Sequence, residues 1–422
     1  MKAVISKRSN DSVTIRVPSS KSLTHRALIA AALADGPSVI YSPALNQDTE
    51  ATIEALKKLN VSIEISEDFM TVSGNADFAA YDGSVIDCRE SGSTLRFLIP
   101  LFVHSGRLCR FSGQGKLMER PLNLYRDIYG QRGTFELCDQ ILSVQGENDA
   151  PVYEMAGNVS SQFISGLLFA LPLEEHDSRI ILIPPVESLS YIDMTIDTLA
   201  KAGIRAVRND NVINIEGRQK YQSFSCRIEG DDSQAAFFIA QAIMQKRTIM
   251  LEGISPVSRQ ADHVMVSLAR QCGAEITERP EGIEITGRKA EPLCADLSDC
   301  PDLGPILFAL AAATQGTSRF RNVSRLRLKE SDRIAAMKQQ LLKTGCRFEE
   351  TDNEVVITGN KSLKGGWNFF GHNDHRIVMA LSILASSSEN PSVIEGIQAV
   401  SKSYPGFFED LKATGSEVSI DD

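Results

Sequence analysis

One pattern recurs six times along this chain and leaves few folds open to it. A helix-like run ends in Gly or Asn, a strand follows, and a second short strand closes on another Gly. The full copies read "LKKLNVSIEISEDFMTVSG", "IYGQRGTFELCDQILSVQG", "LAKAGIRAVRNDNVINIEG", "LARQCGAEITERPEGIEITG" and "LLKTGCRFEETDNEVVITG", and a truncated one reads "LKATGSEVSI". The helix-ending positions, Asn60, Gly133, Gly203, Gly273, Gly345 and Gly415, lie about 70 residues apart. A residue just past a helix commonly takes φ > 0, which Gly adopts freely and Asn tolerates, so one backbone rule covers all six. The two strands after each helix read as a hairpin.

The other end of each unit carries an apolar helix preceded by small or polar residues: "PSSKSLTHRALIAAAL", "ESGSTLRFLIPLF", "NVSSQFISGLLFAL", "GDDSQAAFFIAQAI", "CPDLGPILFALAAA" and "GHNDHRIVMALSIL". Such helices, apolar nearly all round, belong in the interior with strands outside them. Six similar units divide into two lobes of three buried helices, each wrapped by sheet. Parallel helices would open three positive dipole ends on one face, and two such faces would make an anion-binding cleft. The polar, non-periodic "GRQKYQSF" marks a hinge near residues 218–230.

Composition narrows the function. A chain of 422 residues is too long for one ordinary core, and two domains are expected. No tract of about 18 apolar residues occurs, which argues against a spanning helix, and "MKAVISKRSNDSV" lacks an apolar core of signal-peptide length. A cytoplasmic protein is expected. The eight cysteines are scattered without a Cys-x-x-Cys pair and read as reduced, mostly buried residues. A formal charge of −10 argues against a general nucleic-acid binder, though not against a local cationic pocket. Neither GxxxxGK[ST] nor a GxGxxG after a strand is present, which removes the usual mononucleotide and dinucleotide readings.

The polar helix starts differ, and what exceeds capping needs is the candidate chemistry. The first has Lys21, Ser22 and Arg26; the second has Gly92 between two serines; the third has Ser160, Ser161 and Gln162; the sixth has Asp374, His375 and Arg376. Elsewhere "GQGKLMERPL" supplies Lys116 and Arg120, "SRLRLKESDRIAAM" supplies Arg325, Arg327, Lys329, Glu330 and Arg333, and "VSKSYPGFF" supplies Lys402. Ordinary readings stand beside these: "KESDR" as a solvated helix start, Asp302 as a helix cap, Lys21 and Arg26 as surface charges. His372 and His375 have metal-ligand spacing, but no recognisable carboxylate or cysteine motif completes a site, so no metal is expected. What remains is a site for more than one anionic group, held by Lys and Arg, with an Asp and a Glu for proton transfer.

Taken in order, "PSSKSLTHRALIAAALADGPS", "SGSTLRFL", "ERPL", "VSSQFISGLL", "ESLSYIDMT", "PDLGPILFALAA", "RLKESDRIAAM", "NDHRIVMAL" and "KSYPGFFEDL" resemble the EPSP synthase (3-phosphoshikimate 1-carboxyvinyltransferase) family from end to end. The resemblance implies an α/β, two-lobed inverted α/β barrel of six βαβαββ-type repeats, three per lobe, with buried parallel helices and sheets outside. It implies lobes of residues 18–228 and of residues 1–17 plus 229–422, because the N-terminal strand returns to the C-terminal lobe, with the active site in the cleft between them. The implied reaction moves the enolpyruvyl group of phosphoenolpyruvate (PEP) to the 5-hydroxyl of shikimate 3-phosphate by addition and elimination, releasing phosphate. No cofactor, metal, nucleic acid or membrane partner is implied, and a monomer is expected.

For shikimate 3-phosphate the resemblance implies Lys21, Ser22, Arg26, Ser160, Ser161, Gln162, Ser188, Asp302 and Lys329. For PEP it implies Lys21, Gly92, Arg120, Gln162, Arg333, Arg376 and Lys402. It makes Asp302 the base for the 5-hydroxyl and Glu330 the proton donor to the PEP methylene carbon, with Lys21 assisting. Two departures stand out: Glu90–Ser91–Gly92–Ser93 where many members have Asn-Ala-Gly-Thr, and Arg325 where many have Asn. The UDP-N-acetylglucosamine enolpyruvyl transferases share the fold and the PEP chemistry, but typically carry a Cys in a loop that here, Gly113 to Pro121, has none.

Overall fold

The computed structural model describes residues 1–7, 12–131, 133–360 and 362–421. Its strands form six sheets of four, one per repeat. In the third repeat, Val152–Ala156 and Ser178–Ile183 run parallel, and parallel neighbours need a crossover between them, here the buried helix Ser161–Ala170. An outer helix, Leu189–Lys201, follows, and the hairpin Ala206–Asn209 with Val212–Ile215 then pairs antiparallel onto Ser178–Ile183. Alternation sorts the faces: Ile180 and Leu182 point into the core while Ile181 and Ile183 do not.

The six apolar segments form the helices Lys21–Leu33, Gly92–Val103, Ser161–Ala170, Asp232–Gln245, Gly304–Ala313 and His375–Ser386. Nearly every residue of the Gly304–Ala313 helix is buried, as its all-round hydrophobicity requires. Two compact units enclose separate cores: Met1–Pro18 with Glu229–Asp422, and Ser19–Ile228.

Five of the six helix-ending residues are left-handed, with φ of 61° at Asn60, 75° at Gly203, 92° at Gly273, 83° at Gly345 and 84° at Gly415. Gly133 corrects the rule. Its helix, Asn123–Tyr129, already ends at Gly130, ahead of Gly133. Glycine is needed there because a side chain would run into the Gln145 carbonyl across the hairpin.

Three sheets are completed from far along the chain. Lys2–Ser6 lies between Ser392–Glu395 and Glu417–Asp421, antiparallel to both, and supplies the strand that the truncated sixth copy lacks. Ser12–Arg16 runs parallel to Thr248–Glu252 in the fourth repeat. Ser225–Arg227 takes the corresponding place beside Pro37–Tyr41 in the first.

Candidate active site

In the Ser19–Ile228 unit, the first core helix opens on Lys21 behind Ser20, whose Oγ accepts the Leu23 N–H at 3.4 Å. Lys21 Nζ donates to Asp48 Oδ2 at 2.8 Å. Asp48 belongs to the first turn of helix Gln47–Lys57, behind a capping box of Asn46 and Thr49. The Asp48 carbonyl accepts from Thr94 Oγ1 at 3.2 Å in the first turn of Gly92–Val103, so three helix starts are tied together.

Arg26 is 2% exposed, and its partners are neutral oxygens: the Ser22 carbonyl at 2.8 Å, Thr195 Oγ1 at 2.8 Å, the Tyr191 carbonyl at 3.0 Å and Ser165 Oγ at 3.4 Å. Its guanidinium stacks 5.1 Å from the Phe97 ring centre. Burial lowers its pKa to about 10, which leaves it cationic at neutral pH. Ser188 is buried in a left-handed conformation just ahead of Leu189–Lys201, the helix that holds Arg26 through Tyr191 and Thr195.

The second and third core helices meet at Gly92. A methyl group on Gly92 would lie 3.1 Å from Arg96 Nη1, 3.2 Å from Arg120 Nη1 and 3.4 Å from Gln162 Oε1. Ser160 caps the third helix by accepting the Gln162 N–H at 3.3 Å, and Ser161 is buried beside it. Arg96, Arg120 and Gln162 thus converge on Gly92, whose missing Cβ is what lets their side-chain ends come together. Gly92→Ala is expected to leave the melting midpoint little changed, because the methyl displaces side-chain ends and not backbone; a thermal scan checks this.

In the other unit, Asp302 receives three cations: Arg333 Nη1 at 2.9 Å, Arg376 Nη2 at 3.0 Å and Lys329 Nζ at 3.1 Å. Arg333, 1% exposed, also donates to Glu330 Oε2 at 2.7 Å and to Asp374 Oδ2 at 2.9 Å. Arg376 Nη2 reaches Ser233 Oγ at 3.0 Å in the first turn of the Asp232–Gln245 helix. Asp374 caps the sixth core helix, and Asp302 occupies the 3₁₀ turn Pro301–Leu303 leading into the fifth, so three core-helix N-termini converge here. Lys402 Nζ donates to the Asn373 carbonyl at 2.8 Å, next to Asp374.

Charge balance in this cluster is set by burial and pairing together. Burial alone would raise the Asp302 carboxyl, but Arg376, Lys329 and Arg333 outweigh it and hold the group well below the usual carboxylate range. Asp374 is depressed too, burial again being overcome, here chiefly by Arg333. Burial lowers Lys329, and the nearby Arg333 and Arg325 charges add to that, against the pull of Asp302.

The ordinary alternatives for this segment do not hold. "KESDR" does start a helix, capped by Asp332, but its Arg333 is buried and its Lys329 and Glu330 are half-buried in an ion-pair network, and Asp302 spends its carboxylate on cations in place of a helix cap. The structure gathers Asp302, Lys329, Glu330, Arg333, Arg376 and Lys402 around one set of helix ends, and Gly92, Arg120 and Gln162 around another. Sequence reasoning passed over Asp48 and Arg96, which hold these groups with Asp374. The signal for Arg96 is a lone cation in an otherwise apolar helix; Asp374 stands among the polar residues of the sixth helix start, but with no partner assigned to it. Among the described residues, no group of three or more His, Cys, Asp or Glu side chains is placed to hold a metal ion.

A family model described as EPSP synthase (3-phosphoshikimate 1-carboxyvinyltransferase) matches residues 5–411. A Clostridium kluyveri protein named 3-phosphoshikimate 1-carboxyvinyltransferase is 42% identical over 408 residues, covering 96% of this chain and 95% of that protein. One of the same name from Clostridium perfringens is 37% identical over 421 residues, covering 98% and 99%. Among solved structures, an EPSP synthase from Acinetobacter baumannii superposes with a TM-score of 0.82 over 99% of this chain and 100% of that one, at 24% identity. The enolpyruvyl transferase NikO from Streptomyces tendae gives 0.79 over 99% and 98%, at 14% identity. At these identities the two structures bear on the fold alone.

Proposed function

This chain belongs to the EPSP synthase (3-phosphoshikimate 1-carboxyvinyltransferase) family, and from that premise we propose a division of labour between its two clusters in carrying the enolpyruvyl group of PEP to the 5-hydroxyl of shikimate 3-phosphate, a step of aromatic biosynthesis. The observation that carries the proposal is the Asp302 carboxylate with Lys329, Arg333 and Arg376 on it and Glu330 one bond further on.

Two anionic substrates need several cations, and here Lys21, Lys329, Arg333 and Arg376 rest on the protein's own carboxylates. Lys21, Ser22, Arg26, Ser160, Ser161, Gln162, Ser188, Asp302 and Lys329 take shikimate 3-phosphate; Lys21, Gly92, Arg120, Gln162, Arg333, Arg376 and Lys402 take PEP. Arg26, already charged and bonded among the described residues to neutral oxygens, suits a phosphate or carboxylate without having to break an ion pair. As substrate anions draw Lys329, Arg333 and Arg376 toward themselves, Asp302 loses the charges that depress it and becomes a competent base.

The proton of the 5-hydroxyl then passes to Asp302 while the alkoxide oxygen bonds to C2 of PEP, and Glu330, which takes up a proton from solvent as Arg333 turns to the substrate, gives that proton to C3. The resulting tetrahedral intermediate collapses as C3 returns that proton to Glu330 and the C2–O bond to phosphate breaks. The enzyme is read as a cytoplasmic monomer; all eight cysteines are free thiols, the state a reducing compartment maintains. No helix among the described residues is long and apolar enough to cross a membrane.

The test is phosphate release from PEP by the purified chain, with shikimate 3-phosphate and UDP-N-acetylglucosamine as parallel acceptors. Release with shikimate 3-phosphate alone is the expected result. Release with UDP-N-acetylglucosamine instead would overturn the assignment.

A further inference from the structure

We infer that Arg96 is a positioning residue that fixes the amide of Gln162 with its NH₂ group, and not its carbonyl, turned toward the bound PEP; this rests on the reading of Gln162 as a substrate ligand. Arg96 Nη1 lies 2.7 Å from Gln162 Oε1. A guanidinium only donates, so the amide atom facing it has to be the carbonyl oxygen. That leaves Nε2 on the other side, where it donates to Ser93 Oγ at 3.0 Å and keeps a second hydrogen for a ligand. Gln162 therefore offers a donor, the complement of a carboxylate or phosphate oxygen.

Arg96 is suited to this because it is itself held from several sides. It is 7% exposed, its guanidinium lies 5.1 Å from the Phe163 ring centre, and Nη2 reaches the Pro121 carbonyl at 3.4 Å, next to Arg120. Its backbone is fixed as well. Tyr125 Oη lies 2.7 Å from the Arg96 carbonyl and 2.9 Å from the Phe163 carbonyl, bridging the second and third core helices. Those helices approach so closely that any side chain at Gly166 would overlap the Arg96 carbonyl and the Tyr125 hydroxyl. The Arg96–Gln162 bond thus spans two helices whose spacing is set independently, and loss of the Arg96 head group leaves the helix contact intact while freeing the amide to turn over.

The experiment is a double-variant cycle on the full chain: Arg96→Met, Arg96→Lys, Gln162→Ala and Arg96→Met with Gln162→Ala, each measured for KM and kcat with PEP varied and for melting midpoint. Arg96→Met is expected to raise the KM for PEP about 10-fold, the scale of one hydrogen bond to a charged group, with a smaller change in kcat. Arg96→Lys, which retains a donor, is expected to recover part of the loss. The double variant should be no worse than Gln162→Ala alone, because Arg96 acts through that side chain. Additive effects, or a KM unchanged in Arg96→Met, would overturn the inference.

Gln162→Glu guards against a variant that fails to fold. It preserves an acceptor for Arg96 but turns an oxygen toward the ligand, and it is expected to weaken PEP binding more than Gln162→Ala; binding as tight as in the unaltered chain would also overturn the inference. Phosphate release by the unaltered chain, run alongside, reports on the reaction itself. Should that fail, the reading of the reaction falls, and the variants are compared instead by the shift in melting midpoint that PEP with shikimate 3-phosphate produces.

Discussion

Asp302→Asn is expected to lower kcat by about 10²–10⁴-fold, the range of a lost general base, while the KM for PEP holds or falls. The split follows from the three cations on Asp302. On the proposed assignment, Asp302 as a carboxylate competes with the substrates for Lys329, Arg333 and Arg376; as an amide it accepts hydrogen bonds but carries no charge, so the cations would turn more readily to a phosphate or carboxylate. A residue that merely bound substrate would show the reverse, a raised KM with turnover retained. Steady-state phosphate release with each substrate varied distinguishes the two, and near-normal kcat in the variant would remove Asp302 from proton transfer.

Asp374→Asn is expected to lower the stability of its unit to urea by about 3 kcal/mol, the scale for breaking a buried ion pair from one side. Arg333 is 1% exposed and Asp374 wholly buried, so neither charge can turn to water when the other is lost. Asn retains an oxygen for the Arg376 N–H that Asp374 Oδ1 caps at 3.0 Å; Asp374→Ala loses that bond too and is expected to cost about 1 kcal/mol more. Both variants should also depress kcat/KM, since Arg333 loses the partner that aims it. A urea midpoint like that of the unaltered chain would mean that Glu330 and Asp302 suffice to hold Arg333.

The repeat made much of the fold legible before any coordinates. Helix ends demand a left-handed residue whatever the tertiary surroundings, which is why Asn60, Gly203, Gly273, Gly345 and Gly415 could be read directly. Gly133 could not, because its reason is a carbonyl on the opposite strand, and local patterning carries no such contact. The same limit applies to the strand Lys2–Ser6: nothing in its own residues says that it pairs with Ser392–Glu395 and Glu417–Asp421, and only the family resemblance suggested that it goes to the far half of the chain. In the site, cations stood out as an excess over capping needs. Asp48, the partner of Lys21, did not, since it occupies a helix start where Asp is ordinary.

The exchange of strands also imposes an order on synthesis. Once residue 227 has left the ribosome, every strand of the first three sheets has been made, so Ser19–Ile228 can close its core while the rest is still being translated. Lys2–Ser6 is made earlier than all of these strands, yet one of its two partners, Glu417–Asp421, is among the last segments produced. It must therefore remain an unpaired edge through most of translation, and the second unit inherits the slowest, longest-range closure in the molecule.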